Sequence, residues 1–523
     1  MSKRSVDLKF ILTYQLYVDG YMLPFKNLIF TDKSCTTPIY SQITGQLTAL
    51  IQDGTIRPGS FLPGTRQMAE LLAVNRKTVI NAYEELRIQN WIDVVPQKGY
   101  RVIPELSLIK PRSYHPKDNF GHPEGTPGKL TAKYLQGGYK ISARAIEIVV
   151  DDGLPDARLF PYLKMHRVYR DYGKNIILKS SALAPEEAGS EQIRGACSDF
   201  LNSTRGLNIC MDRIVMTGSS QMAIFIATSI ILSPGDVVVM GDPIDPHAQE
   251  VIKNAGAEIV AVRMDNEGID TDELENLINK YRVKMLYIAP QHHHPTTVTL
   301  SDTRRENLLR LIHSHGFWVV EDDSGYDFHY ENSPIMPLAS ANHAGKVIYV
   351  GSFDKIFSAS FRVGYLVAKP EVIAKVIRLK GIMDLKGDIY MERMVSGMIR
   401  TGDLRRHIKK SNKLYFQRCN FVCDLLNAKL GHILKFTKPQ GGLALWLRFS
   451  TGYPVAKLIA MASKAGLLLK GTHLDDTGSA MHNGIRFGYA SLSEAEMTRA
   501  VDILLKVTGQ LADYSKVSSD DII

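Results

Sequence analysis

The stretch Gly351-Ser-Phe-Asp-Lys-Ile-Phe-Ser-Ala-Ser-Phe-Arg-Val-Gly364 follows the apolar, β-branched run Lys346-Val-Ile-Tyr-Val350. Such a run has the composition of a buried strand. Lys355 then stands just past a strand end, with Ser352 three residues before it and Arg362 seven after. A lysine amine condenses with an aldehyde, while a serine hydroxyl and an arginine guanidinium hold a phosphate. Pyridoxal 5′-phosphate (PLP) carries both groups, and a lysine Schiff base with a separate partner for the ring nitrogen is its usual arrangement. A surface lysine after a strand is the plainer alternative for these residues alone, so the rest of the chain decides.

From about Ile146 onward, strand candidates Arg213–Met216, Val237–Met240, Lys284–Ile288, Phe317–Val320 and Val347–Val350 alternate with helical patterns. That alternation predicts an α/β domain with a mostly parallel sheet covered on both faces. From about Asp403 the pattern returns to helices and a few strands, a smaller C-terminal subdomain. No internal repeat is present. Within the large domain, Met216-Thr-Gly-Ser-Ser-Gln221 joins a strand to an apolar helix, so Gly218, Ser219 and Ser220 form an anion cradle at a helix N-terminus. Glu321-Asp-Asp323 follows Phe317-Trp-Val-Val320 and delivers a carboxylate to a strand's C-terminal end, where ligands bind in such sheets. A carboxylate there keeps the PLP pyridinium protonated; a loop or helix cap is the alternative. Gly484-Ile-Arg-Phe-Gly-Tyr-Ala490 puts Arg486 inside an apolar strand. A buried guanidinium needs an anionic partner, either a substrate carboxylate gripped by both prongs or an internal salt bridge.

Upstream, Ile39, Ile43, Leu47, Leu50 and Ile51 recur at helical spacing until Asp53-Gly54. Pro58-Gly59 and Pro63-Gly64 punctuate a short connection, Thr65 is a cap for a second helix, and Asn75 is an N-cap for a third carrying Val79, Ala82, Tyr83 and Leu86. Trp91–Val95 and Gly99–Ile103 flank Pro96-Gln-Lys98 as a small hairpin. The whole predicts a winged helix-turn-helix. Arg66, Arg76, Lys77 and Thr78 sit at the starts of its two crossed helices, where base edges and phosphates are met, and Lys98 lies at the hairpin tip. Between residues 41 and 101 seven Lys/Arg oppose five Asp/Glu, a mild electrostatic footprint that leaves a protein-docking helical domain as the alternative. Residues 104–145 hold five of the 23 prolines and little apolar periodicity, which reads as a linker. The expected domains are therefore an N-terminal extension over 1–36, a winged helix over 37–104, a linker over 105–145 and a PLP-binding domain over 146–515.

A chain of 523 residues exceeds one core and fits two to four domains. Its formal charge of +9 leans toward a polyanionic partner without proving one. Five scattered cysteines give no disulfide framework and suit a reducing cytoplasm. No apolar run reaches the roughly 18 residues of a membrane span. Lys3-Arg4 followed by Phe10–Val18 imitates a signal peptide but lacks a small-residue cleavage site.

The string Ile39-Tyr-Ser-Gln-Ile…Gly54-Thr-Ile-Arg-Pro-Gly-Ser-Phe-Leu-Pro-Gly-Thr-Arg66…Leu72-Ala-Val-Asn-Arg-Lys-Thr-Val79…Ala82-Tyr-Glu-Glu-Leu86 closely resembles the GntR-type winged helix. The large-domain pieces occur in the order of fold-type I, aspartate-aminotransferase-like enzymes. From about residue 38 the chain resembles the MocR subgroup of GntR regulators, which fuse the two units. Asp152-Gly-Leu-Pro-Asp-Ala-Arg-Leu-Phe-Pro161, Pro234-Gly-Asp236, Asp242-Pro243, Glu321-Asp-Asp323 and Arg486-Phe-Gly-Tyr489 stand where that family has its markers. The resemblance implies DNA binding, an internal aldimine on Lys355, Asp322 at the ring nitrogen, and Arg362, Ser352, Ser219 and Ser220 at the phosphate. It also implies Arg486 at an effector carboxylate, paired aminotransferase domains in a homodimer, two DNA half-sites, and an effector that is an amino compound or PLP itself. Asp323 is the alternative for the ring nitrogen, since Asp323-Ser-Gly-Tyr326 also imitates the aminotransferase spacing.

The chain departs from the family at three places. Asp245 stands where a tyrosine usually stacks over the ring, Ser324 where a second tyrosine neighbours the phenolic oxygen, and His294 beside that same oxygen. Loss of both tyrosines makes binding better preserved than catalysis, so a sensor is expected ahead of an active transaminase with a DNA-binding appendage. A module that uses the fold only to dimerise is the third reading. The run Gln291-His-His-His294 is not expected to hold a metal, because consecutive residues point apart and no acidic or cysteine partner accompanies them. The family-like pattern begins soon after Met22, at Leu23-Pro-Phe-Lys-Asn-Leu-Ile-Phe30, so translation is expected to start at Met22. A packed extra segment built on Phe10–Tyr17 is the alternative, and an intact mass from the native source separates the two.

Overall fold

The structure, a computed structural model, describes residues 17–18, 21–35, 37–104, 146–176, 187–330, 336–358, 360–383, 387–470 and 481–520. The expected linker 105–145 and the segment up to residue 16 lie outside the described residues. The chain divides into two compact units, Met1–Gly138 and Tyr139–Ile523.

In the first unit, helix Ile39–Gln52 buries Ile43, Leu47 and Ile51, and it ends at the Gly54 turn, where φ is 84°. Helix Arg76–Ile88 presses Val79, Ala82, Tyr83 and Leu86 into the same core, with the Tyr83 hydroxyl donating to the Pro63 carbonyl at 2.9 Å. Strands Ile92–Val95 and Gly99–Val102 form the expected antiparallel hairpin. Two expectations need correction. Thr65 does not cap its helix: it is the first helical residue behind Gly64, and its hydroxyl instead accepts from Arg76 Nε at 3.2 Å. Nor are residues 1–36 wholly an appendage. Phe25 and Ile29 are buried in the winged-helix core, and the Gln46 amide clamps the Phe30 backbone from both sides at 2.9 and 2.7 Å. A four-residue helix followed by extended chain is too short to show periodicity, which hid this from the sequence.

The second unit is built on an eight-stranded sheet in the order Ile214–Thr217, Gly364–Val367, Val347–Ser352, Trp318–Asp322, Val283–Ile288, Val237–Asp242, Glu258–Asp265, Gly268–Ile269. Pairings are parallel except at Gly364–Val367, antiparallel to both neighbours, and at the edge strand Gly268–Ile269. Both faces are buried, so the strands read as apolar runs. Val238, Met240, Met285, Tyr287, Val320, Ile348 and Val350 face one layer, with helix Ser220–Ile231. Val239, Leu286, Ile288, Val319 and Val347 face the other, with helix Asp302–His315. Strands Glu258–Asp265 and Gly364–Val367 were not among the sequence candidates. The first mixes charged residues with apolar ones, and the second is only four residues long.

The smaller subdomain packs helix Asp403–Leu430 and the antiparallel strands Leu434–Lys435, Ala444–Phe449 and Gly484–Gly488. Ile148–Val150 pairs in parallel with Leu467–Leu469 as a separate two-stranded sheet, so the first strand after the linker pairs with a strand late in the chain and not with the large sheet. Among the described residues no helix is long and apolar enough to cross a membrane.

Candidate active site and DNA-facing surface

The strand register assembles one end of the candidate site. Gly364 pairs with Ser352 on one side and Thr217 on the other. A Cβ on Gly364 would lie 2.6 Å from the Ser219 carbonyl carbon and 2.8 Å from Thr217 Oγ1. The missing side chain lets the Gly218–Ser219 turn close against the sheet and aims the N-terminus of the twelve-residue helix Ser220–Ile231 at this point. Ser219 caps that helix by accepting from Met222 N at 3.1 Å, leaving its own hydroxyl proton to donate. Ser352 is buried alongside, but its proton goes to Asp354, which also accepts from Lys355 N at 2.6 Å. Arg362 is exposed and makes no hydrogen bond or ion pair with a described residue.

Lys355 lies in the one-turn helix Asp354–Phe357, directly beyond strand Val347–Ser352. Its charge reaches Asp322, whose carboxyl is pushed up by burial and partly restored by that ammonium. Asp322 accepts from the Tyr287 hydroxyl at 3.1 Å and from Ser324 N at 3.1 Å. Burial and the Asp245 and Asp322 carboxylates hold the Tyr287 phenol far above its usual range, so it keeps its proton.

The two-residue period of the strand separates Asp322 from Asp323. Val320 and Asp322 point to the Tyr287 layer, whereas Asp323 points to the opposite one. There Asp323 accepts from the Tyr349 hydroxyl at 2.7 Å, beside Arg205, and burial raises its carboxyl to about 7. Asp323 is thus tied into an internal network with Tyr349, apart from the Tyr287 partner of Asp322.

Asp245 caps helix Pro246–Asn254 by accepting from His247 N at 2.9 Å and Ala248 N at 3.3 Å. Its second oxygen faces the Tyr287 hydroxyl at 3.4 Å and His294 Nδ1 at 3.7 Å. The other nitrogen of His294 lies 3.7 Å from Asp152. Burial lowers the His294 pKa despite these acids. For Asp152, burial works to raise the pKa, but His294, Arg486 and Lys355 outweigh it and hold the carboxyl far below its ordinary value. Arg486 is 4% exposed; its Nε donates to the Asp152 carbonyl at 2.7 Å and its Nη1 to the Pro295 carbonyl at 2.9 Å. Backbone carbonyls, rather than a salt bridge of close geometry, hold this guanidinium. Asp152 and Tyr287 had no assigned role in the sequence; the only signal was the position of Asp152 in a family marker. A cavity of about 610 Å³ opens between Thr296–Asp302 and Phe436–Gln440, and Lys355 does not line it. Among the described residues no group of three or more His, Cys, Asp or Glu is placed to hold a metal ion.

In the first unit, Arg66, Arg76, Lys77 and Lys98 are exposed and Thr78 half-buried. Asn75 accepts from Lys77 N at 2.8 Å and so fixes the start of helix Arg76–Ile88, while the Arg76–Thr65 bond joins the starts of the two crossed helices. Lys98 sits in a turn between Gln97 and Gly99, with φ of 65° and 105°.

Comparison with known proteins agrees with both halves. The family profile "Aminotransferase class I and II" matches residues 178–504, and "Bacterial regulatory proteins, gntR family" matches 39–102. The probable rhizopine catabolism regulatory protein MocR of Rhizobium meliloti is 22% identical over 488 residues, covering 91% of this chain and 95% of that one. Aromatic-amino-acid aminotransferase 1 of Thermococcus litoralis is 27% identical over 323 residues, covering 60% of this chain and 76% of that one. The α-aminoadipate aminotransferase LysN of Thermus thermophilus, solved with N-(5′-phosphopyridoxyl)-L-leucine, superposes with a TM-score of 0.64 at 22% identity, covering 70% of this chain and 93% of that one. Lys355, the half-buried Asp322 and the Gly218–Ser220 helix start fit PLP, the cofactor on which this aminotransferase family depends. The chain belongs to the class I and II aminotransferase family, carried behind a gntR-type winged helix in a transcription regulator of the MocR type.

Proposed function

We propose that the protein is a cytoplasmic, homodimeric regulator that binds promoter DNA and senses an amino compound, or PLP itself, at Lys355. The observation that carries this reading is the electrostatic pairing of Lys355 with a half-buried Asp322, at a site where Asp245 and Ser324 stand in place of the family's usual tyrosines. PLP supplies an aldehyde that condenses with amines and a ring nitrogen that needs a carboxylate partner. Lys355 offers the amine. Asp322, oriented by the Tyr287 hydroxyl and the Ser324 amide, holds a proton at the ring nitrogen. The helix start at Gly218–Ser220 receives the phosphate, with Ser352 and the exposed Arg362 beside it. Arg486 Nη2, the prong not committed to a carbonyl, is available for one oxygen of an effector carboxylate. His294 stands between two acids, where it can accept or hold a proton but cannot stack as a phenol ring does.

A ligand changes DNA binding only if it favours one arrangement of the protein over another. Arg486 lies on the smaller subdomain's sheet and Lys355 at the end of the large one, so a ligand touching both biases their closure. In a homodimer two winged helices would meet half-sites one or more helical turns apart.

The DNA half of the reading is tested with the full chain on its own promoter region. Arg76→Ala is expected to cost about 1–3 kcal/mol on the preferred sequence and to relax that preference. Lys98→Ala is expected to weaken all sequences evenly and reduce the salt slope by about one. A wild-type chain with no preference for its own promoter over random duplex at low salt contradicts the reading.

A further inference from the structure

Helix Arg76–Ile88 carries near its start an apolar side chain that the winged-helix core does not use. Val79, Ala82, Tyr83 and Leu86 turn inward and fill that core, whereas Ile80 is 39% exposed. Ile80 follows Arg76 by four residues, so the two side chains share one stripe of the helix, about 6 Å apart along its axis. Lys77 and Asn81 are exposed on the adjoining face. A β-branched side chain held in water on a helix has a lower helix propensity than alanine and gains nothing from burial. A single exposed isoleucine is ordinary on a protein surface, and Ile88 on the last turn of the same helix is one. Ile80 differs in its neighbours.

Those neighbours are organised toward a polyanion. Arg76 Nε donates to the Thr65 hydroxyl at 3.2 Å, which steadies the guanidinium between the starts of the two crossed helices. No described residue takes its two terminal nitrogens. Asn75 accepts from Lys77 N at 2.8 Å and fixes the first turn. Two cations within that turn draw the helix start to DNA, where the first residues of such a helix meet base edges in the major groove. Thymine alone presents a methyl group there, and apolar side chains recognise it by contact.

We propose that Ile80 reads thymine, packing on its 5-methyl group close to the base that Arg76 meets. The inference rests on the DNA-reading role of this helix and adds a sequence determinant to it. Successive base pairs are about 3.4 Å apart, so the spacing of the two side chains corresponds to about one or two base-pair steps. An apolar contact neutralises no phosphate, so it adds sequence preference without adding salt dependence.

The test uses the full chain and a duplex from its own promoter region in two forms, one with thymine and one with deoxyuridine at every thymine position, beside a random duplex. Deoxyuridine keeps the base pairing and the phosphates and removes only the methyl groups. The wild-type chain is expected to bind the thymine form at least about fourfold more tightly, the worth of one buried methyl group. Ile80→Ala is expected to bring that ratio close to one with an unchanged salt slope; alanine is the best helix former, so the helix persists. Ile88→Ala is expected to keep the wild-type ratio. A wild-type ratio near one, or a ratio that survives in Ile80→Ala, overturns the inference while leaving DNA reading intact. Equal loss of affinity for both forms in Ile80→Ala assigns Ile80 to a contact within the protein and overturns it too. A wild-type chain with no preference for the thymine promoter form over random duplex overturns DNA reading by this helix, and the inference falls with it.

Discussion

Lys355→Ala abolishes the cofactor adduct trapped by borohydride: the wild-type chain yields a phosphopyridoxyl peptide containing residue 355, and the variant yields none. The Lys355 charge is felt by both Asp322 and Asp152 and lowers the pKa of each. The competing lysine close to the phosphate cradle is Lys380, which is 2% exposed and donates to the Glu187 and Met216 carbonyls at 2.6 Å. Burial lowers its pKa to about 8, but an amine with both contacts filled has no path to an aldehyde. Peptide mapping by mass spectrometry distinguishes the two. An adduct that survives in the variant, at Lys380 or elsewhere, removes Lys355 from its assigned role. The fold itself is expected to persist, because the side chain is only half-buried and Asp354 still holds the backbone at residue 355.

The second large effect lies beneath the sheet. Arg205 is 1% exposed, donates to Asp327 at 2.7 Å and to the Tyr349 hydroxyl at 2.9 Å, and stacks over the Tyr326 ring at 4.3 Å. Tyr349 in turn holds Asp323, next to the ring-nitrogen candidate. Arg205→Met leaves Asp327 and Asp323 buried without their cation, and removing one partner of a buried pair costs about 3–5 kcal/mol. The midpoint for unfolding of residues 139–523 in denaturant is the readout. Adding Asp327→Asn to Arg205→Met is expected to recover part of the loss, since the uncompensated charge is then gone. A single variant as stable as the wild type contradicts a structural role for this network.

The parts of the fold that the sequence made legible are those governed by period and punctuation. The continuous apolar runs at Val237 and Val347 gave buried parallel strands, and Gly54 with Asn75 marked a helix end and a helix start. Lys355 could be named as a candidate because a lysine just past a strand end offers a single chemistry, an amine for an aldehyde. Choosing between Asp322 and Asp323 needed the strand's facing, which adjacent identical residues do not disclose. Arg486 read correctly as a buried guanidinium, but its carbonyl partners come from Asp152 and Pro295, far away in the chain. Asp245 read only as a missing aromatic ring. Its role as a helix cap facing His294 follows from tertiary placement, and no local pattern encodes it. The winged-helix contribution of Phe25 and Ile29 was hidden for a similar reason, since their burial depends on a helix that begins ten residues later.

The most direct test of the central claim is the affinity of the full, PLP-loaded chain for labelled DNA from its own promoter, measured by fluorescence anisotropy with and without a saturating amine that perturbs the Lys355 absorption. The account predicts a shift in the wild-type dissociation constant of about 5- to 150-fold, the usual span of coupling between two sites, and no shift in Lys355→Ala. An equal shift in both proteins, or none in either, would contradict it.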